Sequence, residues 1–232
     1  MLRLSAVAVF LLCISDDSEA HGYMKRPYDW NSVLQENKCA SGSMSGWDWL
    51  SRRQKQVLLR RTYNFTGNPN DSICIQARFK PIVYRNNTLE KTFTYRNMSS
   101  TEVIKDTVIQ PWPVAKFFLY FYAADDTMKG TRRDDLFNYV NSSLIYSAFG
   151  YHLPKPEWLF AYCDEECAVL KVLSKDPVET DSAKCELWVS MKISEKPHIH
   201  KWNEDHPCVR YFSTACYTQY STEVYDPALC GE

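Results

Sequence analysis

The chain contains a series of short segments in which apolar and β-branched residues alternate with polar ones, separated by turn residues. These segments occupy residues 54–63, 73–84, 91–96, 103–109, 114–123, 137–146, 158–163, 168–173 and 185–190. Strands of this length and spacing are typical of an antiparallel all-β domain. Eight or nine strands in about 170 residues suffice for a small up-and-down barrel whose interior holds one small ligand. We therefore predict an all-β fold built as a closed antiparallel barrel of about eight strands.

A different pattern follows the last predicted strand. Pro207 is suited to the start of a helix, and the apolar residues after it recur at helical spacing on one face. They are Cys208, Tyr211, Phe212, Ala215 and Cys216. We predict a C-terminal α-helix packed on the outside of the barrel, with its two cysteines bonded to the strands that contain Cys167 and Cys185.

The two strand cysteines also predict which side chains face the interior. Neighbouring side chains alternate between the two faces of a strand. If Cys167 and Cys185 face the helix, then Ala168, Glu186 and Trp188 face the lumen. A buried carboxylate is costly unless it is paired or protonated, so Glu186 needs a partner. That partner is either an internal Arg or Tyr hydroxyl, or the cation of a ligand.

The N-terminus predicts export from the cell. Residues 1–20 combine Arg3, an apolar run at 4–12 and the small residue Ala20, which is typical of a secretory signal peptide. Cleavage after Ser15 is an alternative to cleavage after Ala20. We expect residues 21–232 to form one secreted domain, a monomer without a membrane segment.

Cysteines and glycosylation motifs agree with an extracellular location. An even number of cysteines after the signal implies four disulfides, although counting alone leaves their pairing open. These cysteines are Cys39, Cys74, Cys163, Cys167, Cys185, Cys208, Cys216 and Cys230. Acceptor motifs for N-glycosylation begin at Asn64, Asn70, Asn86, Asn97 and Asn141.

The net charge and the glycine content argue against nucleic acids and nucleotides as partners. Lys and Arg total 27 and Asp and Glu total 28, so the net charge is −1. A protein without a basic field is poorly suited to bind nucleic acid. Only 7 glycines are present, and no glycine-rich phosphate loop occurs among them.

Several motifs together resemble the salivary lipocalins of ticks, the histamine-binding type. They are QKQVLLRRTY at 54–63, WLFAY at 158–162, CAVL at 167–170, CELWV at 185–189, the helix with two cysteines, and the terminal Cys230. The resemblance covers residues 54 to the C-terminus. It implies a lipocalin barrel that sequesters histamine, serotonin or, in some members, lipid mediators such as leukotrienes or fatty acids. It also implies the pairs Cys74–Cys230, Cys167–Cys208 and Cys185–Cys216, which leaves Cys39 with Cys163.

The resemblance implies a ligand-binding set as well, with departures from the family pattern. Glu186 retains a family carboxylate, with Trp188, Tyr63 and Trp158 as pocket walls. Ala168 stands where amine-binding members have Asp, and Trp158 where they have a carboxylate. The lumen is therefore expected to be more apolar than theirs, with a biogenic amine as the first expected ligand and a lipid mediator as the alternative. We expect neither a cofactor nor catalytic residues.

The alternative to a binding protein is an enzyme. If cleavage falls after Ala20, His21 becomes N-terminal, and the following residues resemble the start of copper polysaccharide monooxygenases. The second copper ligand would be His152, His198, His200 or His206. Because the spacing of the last three is not that of a tight zinc site, we expect no metal there.

Overall fold

A computed structural model describes residues 38–41, 43–64, 68–78, 80–99, 102–104, 107–109, 112–123, 137–173, 184–191, 202–216, 218 and 221–230. Its strands are β1 (Lys55–Arg61), β2 (Ile73–Ala77), β3 (Ile82–Tyr84), β4 (Thr88–Arg96), β5 (Glu102–Ile104), β6 (Thr107–Ile109), β7 (Val114–Tyr122), β8 (Tyr139–Ala148), β9 (Trp158–Cys163), β10 (Cys167–Val172), β11 (Cys185–Met191) and β12 (Thr222–Glu223). Its α-helices are α1 (Lys38–Ser41), α2 (Gly46–Ser51), α3 (Pro207–Ala215) and α4 (Pro227–Cys230), and a 3₁₀ helix spans Pro69–Ser72. The predicted signal peptide and both cleavage positions lie outside the described residues.

Eight antiparallel strands form a ring. The strand order is β11-β10-β9-β8-β7-β4-β2-β1, and pairing of β11 with β1 completes the circuit. The prediction of a mostly β fold built on about eight antiparallel strands is confirmed. Contact between β8 and β9 is short, because only Tyr139 with Leu159 and Val140 with Trp158 are in register there. The pairing of β1 with β2 is equally short, with two residue pairs in register, so these are the two least extensive seams of the ring.

Two predicted strands are each divided in the structure. The segment 73–84 forms β2 and β3, with Pro81 between them. Proline cannot donate a ladder hydrogen bond, and it restricts the residue before it. The segment 103–109 is a hairpin of β5 and β6 that forms its own two-stranded sheet.

Alternation along the strands separates the apolar residues into two cores. The lumen core includes Leu58, Phe93, Trp158, Ala168 and Trp188. The outer core, between the barrel wall and α3, contains the alternate residues. These are Val57, Leu59, Cys167, Val169, Cys185, Leu187, Val189, Cys208, Val209 and Phe212, among others.

Helix α2 covers one end of the lumen, which we call the floor. A capping box begins it, in which the backbone N–H of Asp48 donates to the Ser45 hydroxyl and that of Ser45 donates to the Asp48 carboxylate. Trp49 and Leu50 of this helix belong to the lumen core. At Gly46 a Cβ would lie 2.4 Å from the Phe160 ring, so only glycine allows this approach. The opposite end, beneath the β8–β9 connection at 149–157, we call the mouth.

Four disulfides hold the termini and α3 to the barrel. They join Cys39 to Cys163, Cys74 to Cys230, Cys167 to Cys208, and Cys185 to Cys216. The last three are the pairs that the family resemblance implies, and Cys39–Cys163 is the pair that was left by elimination. Helix α3 therefore lies on the outer wall of β10 and β11, as its cysteine spacing predicts.

Candidate functional site

The mouth of the barrel contains a cavity of about 30 Å³. Because a cavity needs about 10–15 Å³ to hold one water molecule, this one has room for about two or three. Its walls are mostly aromatic and aliphatic: Leu58, Tyr63, Ile75, Phe93, Tyr151, Leu153, Pro154, Lys155, Pro156, Trp158, Val172, Glu186 and Trp188. The lining contains one lysine, Lys155, and one side-chain carboxyl group, that of Glu186. The cavity is therefore an apolar site with one buried carboxylate.

Glu186 lies in the lumen and is only 4 % exposed. Its Oε1 accepts a hydrogen bond from the Tyr63 hydroxyl, and its Oε2 accepts one from the Trp188 indole Nε1 at 2.7 Å. Burial raises the pKa of the carboxyl, whereas these two hydrogen bonds and the charge of Arg61 oppose the shift. The carboxylate therefore has protein partners within the structure.

Arg61 lies across from Glu186 because of an irregularity in β1. The register of β1 against β11 shifts between Leu58 and Arg60. As a result Arg60 faces outward, where it pairs with Glu204 at 3.1 Å and Glu223 at 3.0 Å, and Arg61 is fully buried. Burial lowers the pKa of Arg61, opposed by the neighbouring Tyr63 and Glu186. The guanidinium thus offsets part of the charge that Glu186 presents to a ligand.

Three aromatic rings fill the middle of the lumen. Phe93 contacts Trp158 at 5.8 Å and Trp188 at 6.2 Å between ring centroids, and the two tryptophans are 6.0 Å apart. Their tilted and edge-on geometry is the favourable arrangement for aromatic pairs. These contacts leave the cavity small.

Four of the five predicted ligand-binding residues line the cavity: Glu186, Trp188, Tyr63 and Trp158. Ala168 faces the lumen, in register with Trp188, but is absent from the cavity lining. The sequence allowed an internal arginine beside Glu186 but did not identify it as Arg61, and it did not predict the contribution of the β8–β9 connection. The sequence LPKP at 153–156 indicates a stiff connection, but it does not reveal which opening that connection covers.

His152 and His206, the two histidines that the structure describes, lie in different parts of the fold. His206 caps the N-terminus of α3, where its Nδ1 accepts from the backbone N–H of Cys208 at 3.3 Å. Ligand atoms of Asp164, Cys167, His206 and Cys208 lie within 4.8 Å of one another. The two sulfur atoms are bonded to each other, so the group offers two other ligand atoms. His152 is exposed near the mouth, while His21, His198 and His200 lie outside the described residues.

The predicted glycosylation acceptors lie at or near the surface. Asn64, Asn70, Asn86 and Asn141 are exposed, and Asn97 is half-buried. None of the helices in the described ranges is long and apolar enough to span a bilayer.

Comparison with known proteins identifies the family. Among solved structures, the chain is similar to Japanin from Rhipicephalus appendiculatus bound to cholesterol, at 14 % identity and a TM-score of 0.48. That similarity covers 76 % of this chain and 94 % of the other. No curated protein sequence matches the chain. The family model for tick histamine binding protein matches residues 35–232, and the chain therefore belongs to that ligand-binding family of lipocalins.

Proposed function

We propose that this protein is a secreted lipocalin that sequesters a small biogenic amine, such as histamine or serotonin, at Glu186. The observation that carries the proposal is a single buried carboxylate surrounded by Tyr63, Trp158 and Trp188 in the lumen. Binding lowers the free concentration of the amine by mass action, without turnover or a cofactor. The four disulfides suit an extracellular protein.

The carboxylate has capacity for an ammonium group. A carboxylate offers about four acceptor positions, and Tyr63 and Trp188 occupy one on each oxygen. A ligand ammonium can therefore add a charge-assisted hydrogen bond without displacing either donor. Indole and phenol faces add cation–π attraction of about 0.5 to 2 kcal/mol each.

Two features limit the affinity of this site. The buried charge of Arg61 opposes a second cation beside Glu186. The cavity of about 30 Å³ must also enlarge to admit an amine of the size of histamine or serotonin. Movement of the β8–β9 connection would enlarge the cavity at the mouth, because Tyr151 and Leu153 are among the lining residues that it contributes.

Calorimetric titration with histamine and with serotonin tests the proposal. We expect Glu186→Gln to weaken amine binding at least about tenfold, because a charge-assisted hydrogen bond is lost. Glu90→Gln is the matched control, since Glu90 pairs with Lys116 on the outer face at 2.7 Å. Equal affinities for wild type and Glu186→Gln would exclude Glu186 as the counter-ion.

A lipid mediator is the second candidate, favoured by the largely apolar lining of the cavity. The same titrations with a leukotriene and a fatty acid distinguish the two ligand classes. Binding of a lipid with unchanged affinity in Glu186→Gln, together with no response to amines, would assign the site to lipids. No response to any of these ligands would contradict both assignments.

A further inference from the structure

The outer face of β7 and β8 carries aromatic side chains that are exposed or half-buried. Phe118, Tyr120 and Tyr122 alternate along β7 with buried residues, and Tyr120 and Tyr122 are 41 % and 45 % exposed. Tyr139 of β8 stacks on Tyr122 with 5.6 Å between ring centroids, and Phe118 lies 6.4 Å from Tyr120. We call these four side chains the aromatic stripe. Contiguous apolar groups on a protein surface mark a site of interaction.

The predicted glycosylation acceptor Asn141 lies within this stripe. Of the five acceptors it alone belongs to a strand, and it is directly across from Tyr120 in the register of β7 with β8. Opposite side chains in an antiparallel pair have Cβ atoms about 4.5 to 5.5 Å apart, and diagonal ones about 7 to 8 Å. Tyr120 is therefore adjacent to Asn141, and Phe118 and Tyr122 lie on its two diagonals. Tyr139 precedes Asn141 by two residues on the same face of β8.

The acceptor motif is complete, and its asparagine is accessible. Asn141 is exposed, and Ser143 supplies the hydroxyl residue that the motif requires two positions later. The Asn141 Oδ1 accepts the backbone N–H of Ser142 at 2.7 Å, whereas a sugar is attached at Nδ2. Within the described ranges, β9 pairs with β8 only at Tyr139 and Val140. Asn141 therefore lies where one edge of β8 is open, with room for a branched sugar chain.

The chemistry of the stripe suits the first sugar of an N-glycan. The hydroxyl groups of N-acetylglucosamine lie around the rim of its ring, so each ring face presents C–H groups that pack on aromatic rings by dispersion. Tyrosine combines an apolar ring with a hydroxyl that stays in contact with water. The stripe has no charged side chain, which favours a neutral sugar over an ionic partner. Covalent attachment gives the sugar a high effective concentration, so even a weak contact is populated.

We propose that the aromatic stripe is the docking surface of the protein's own N-glycan at Asn141, whose first N-acetylglucosamine packs on Tyr120 and the rings beside it. The sugar covers apolar surface that otherwise faces water, and it thereby stabilises the β7–β8 pair next to the short β8–β9 seam. The inference rests on the secretion in the proposed function, because N-glycans are added in the secretory pathway. It does not depend on which ligand the lumen binds.

Expression of the full chain in insect cells tests the contact, with glycopeptide mass spectrometry and NMR of the sugar as readouts. We expect a glycan at Asn141 and an upfield ring-current shift of its first N-acetylglucosamine. The shift should remain when an endoglycosidase trims each glycan to that one sugar, and it should disappear in Tyr120→Ser.

Urea denaturation of the glycosylated proteins tests the stabilisation. We expect Asn141→Gln to raise the equilibrium constant of unfolding at least about threefold, because contact with the aromatic rings is lost. Asn70→Gln is the matched control, since Asn70 is an exposed acceptor before β2, a strand that pairs with neither β7 nor β8. It should change the constant by less than about twofold. In a Tyr120→Ser background, Asn141→Gln should also have an effect below about twofold, because the contact is already absent.

Several results would overturn the proposal. They are an unoccupied Asn141 in the secreted protein, an Asn141 sugar without the ring-current shift, or an equal effect of Asn141→Gln with and without Tyr120. Self-association of a protein whose Asn141 is unoccupied would assign the stripe to a second copy of the chain instead. If Tyr120→Ser does not fold, the shift in wild type still decides the matter.

Failure of this inference is distinguishable from failure of the proposed function. Absence of glycan from all five acceptors would contradict both this inference and secretion, whereas absence from Asn141 alone would contradict this inference only. Asn141→Gln should bind amines like wild type, because Asn141 is outside the cavity lining at Glu186.

Discussion

At Glu186 the cost of burying a carboxylate is offset by groups from two neighbouring strands. Tyr63 follows β1 and Trp188 belongs to β11, and both donate to the carboxylate. Arg61 adds a positive charge nearby. The same groups that stabilise Glu186 hold its oxygens in fixed positions, which favours recognition of an ammonium group by a preorganised site.

Lys91 predicts a pH dependence of stability. Burial lowers its pKa to about 7 in the folded protein against 10.5 ordinarily, so the unfolded chain binds more protons between these values. The free energy of unfolding of wild type should therefore rise with pH relative to Lys91→Met, by up to about 1.4 kcal/mol per pH unit between pH 7.5 and 9.5. Urea denaturation of both proteins, in buffers without carboxylates or amines, measures the difference.

Tyr63 and Tyr151 at the mouth do not affect the comparison of wild type with Lys91→Met. Burial raises the pKa of Tyr63 and Tyr151, but both residues are present in wild type and variant alike. If the free energy of unfolding changed with pH in the same way for wild type and Lys91→Met, Lys91 would be charged in the folded protein and the prediction would be contradicted.

Residue positions were predictable to different extents. The inward orientation of Glu186 and Trp188 followed from Cys185, because alternation along β11 is regular. The inward orientation of Arg61 could not be predicted in the same way, because the register shift between Leu58 and Arg60 breaks the alternation of side chains along β1. Such an irregularity depends on pairing with a distant strand, which local sequence does not encode.

At the scale of elements, α3 depends on its two disulfides. The helix has 9 residues, and Cys208, Val209 and Phe212 are buried against the barrel wall. An isolated helix of this length is marginal in water, so its stability comes from tertiary contacts and cross-links. Its start at Pro207 was predictable from helical spacing and from the preference of proline for the first turn.

Removal of the Cys185–Cys216 bond tests this dependence. The bond closes a loop with a sequence separation of 31 residues. We expect Cys185→Ala combined with Cys216→Ala to lower the free energy of unfolding by about 3 to 4 kcal/mol, since the unfolded chain gains loop entropy. Chemical denaturation followed by circular dichroism measures the loss, and an unchanged midpoint with an unchanged slope would contradict it.

The start of helix α2 has a capping-box motif that the sequence-based prediction did not use. Ser45 and Asp48 have the spacing of a capping box, directly before Trp49 and Leu50. The motif indicates where a helix begins, but not that the helix inserts Trp49 and Leu50 into a barrel. That placement depends on the approach to Phe160 at Gly46.

At the scale of the whole molecule, the ring of strands has one polar group at each end of its lumen. Glu186 lies at the mouth and Lys91 at the floor, and the rings of Phe93, Trp158 and Trp188 pack against one another in the lumen. The eight-stranded ring was predictable from segment number and spacing. The size of the cavity was not, because it depends on how three aromatic rings pack against one another.

A crystal structure of the complex with serotonin would show whether Glu186 binds an amine. We expect the ligand inside the mouth, with its ammonium nitrogen about 2.7 to 3.2 Å from a Glu186 oxygen and its ring against Trp158 or Trp188. A ligand bound on the outer wall, or inside the barrel without contact to Glu186, would contradict it.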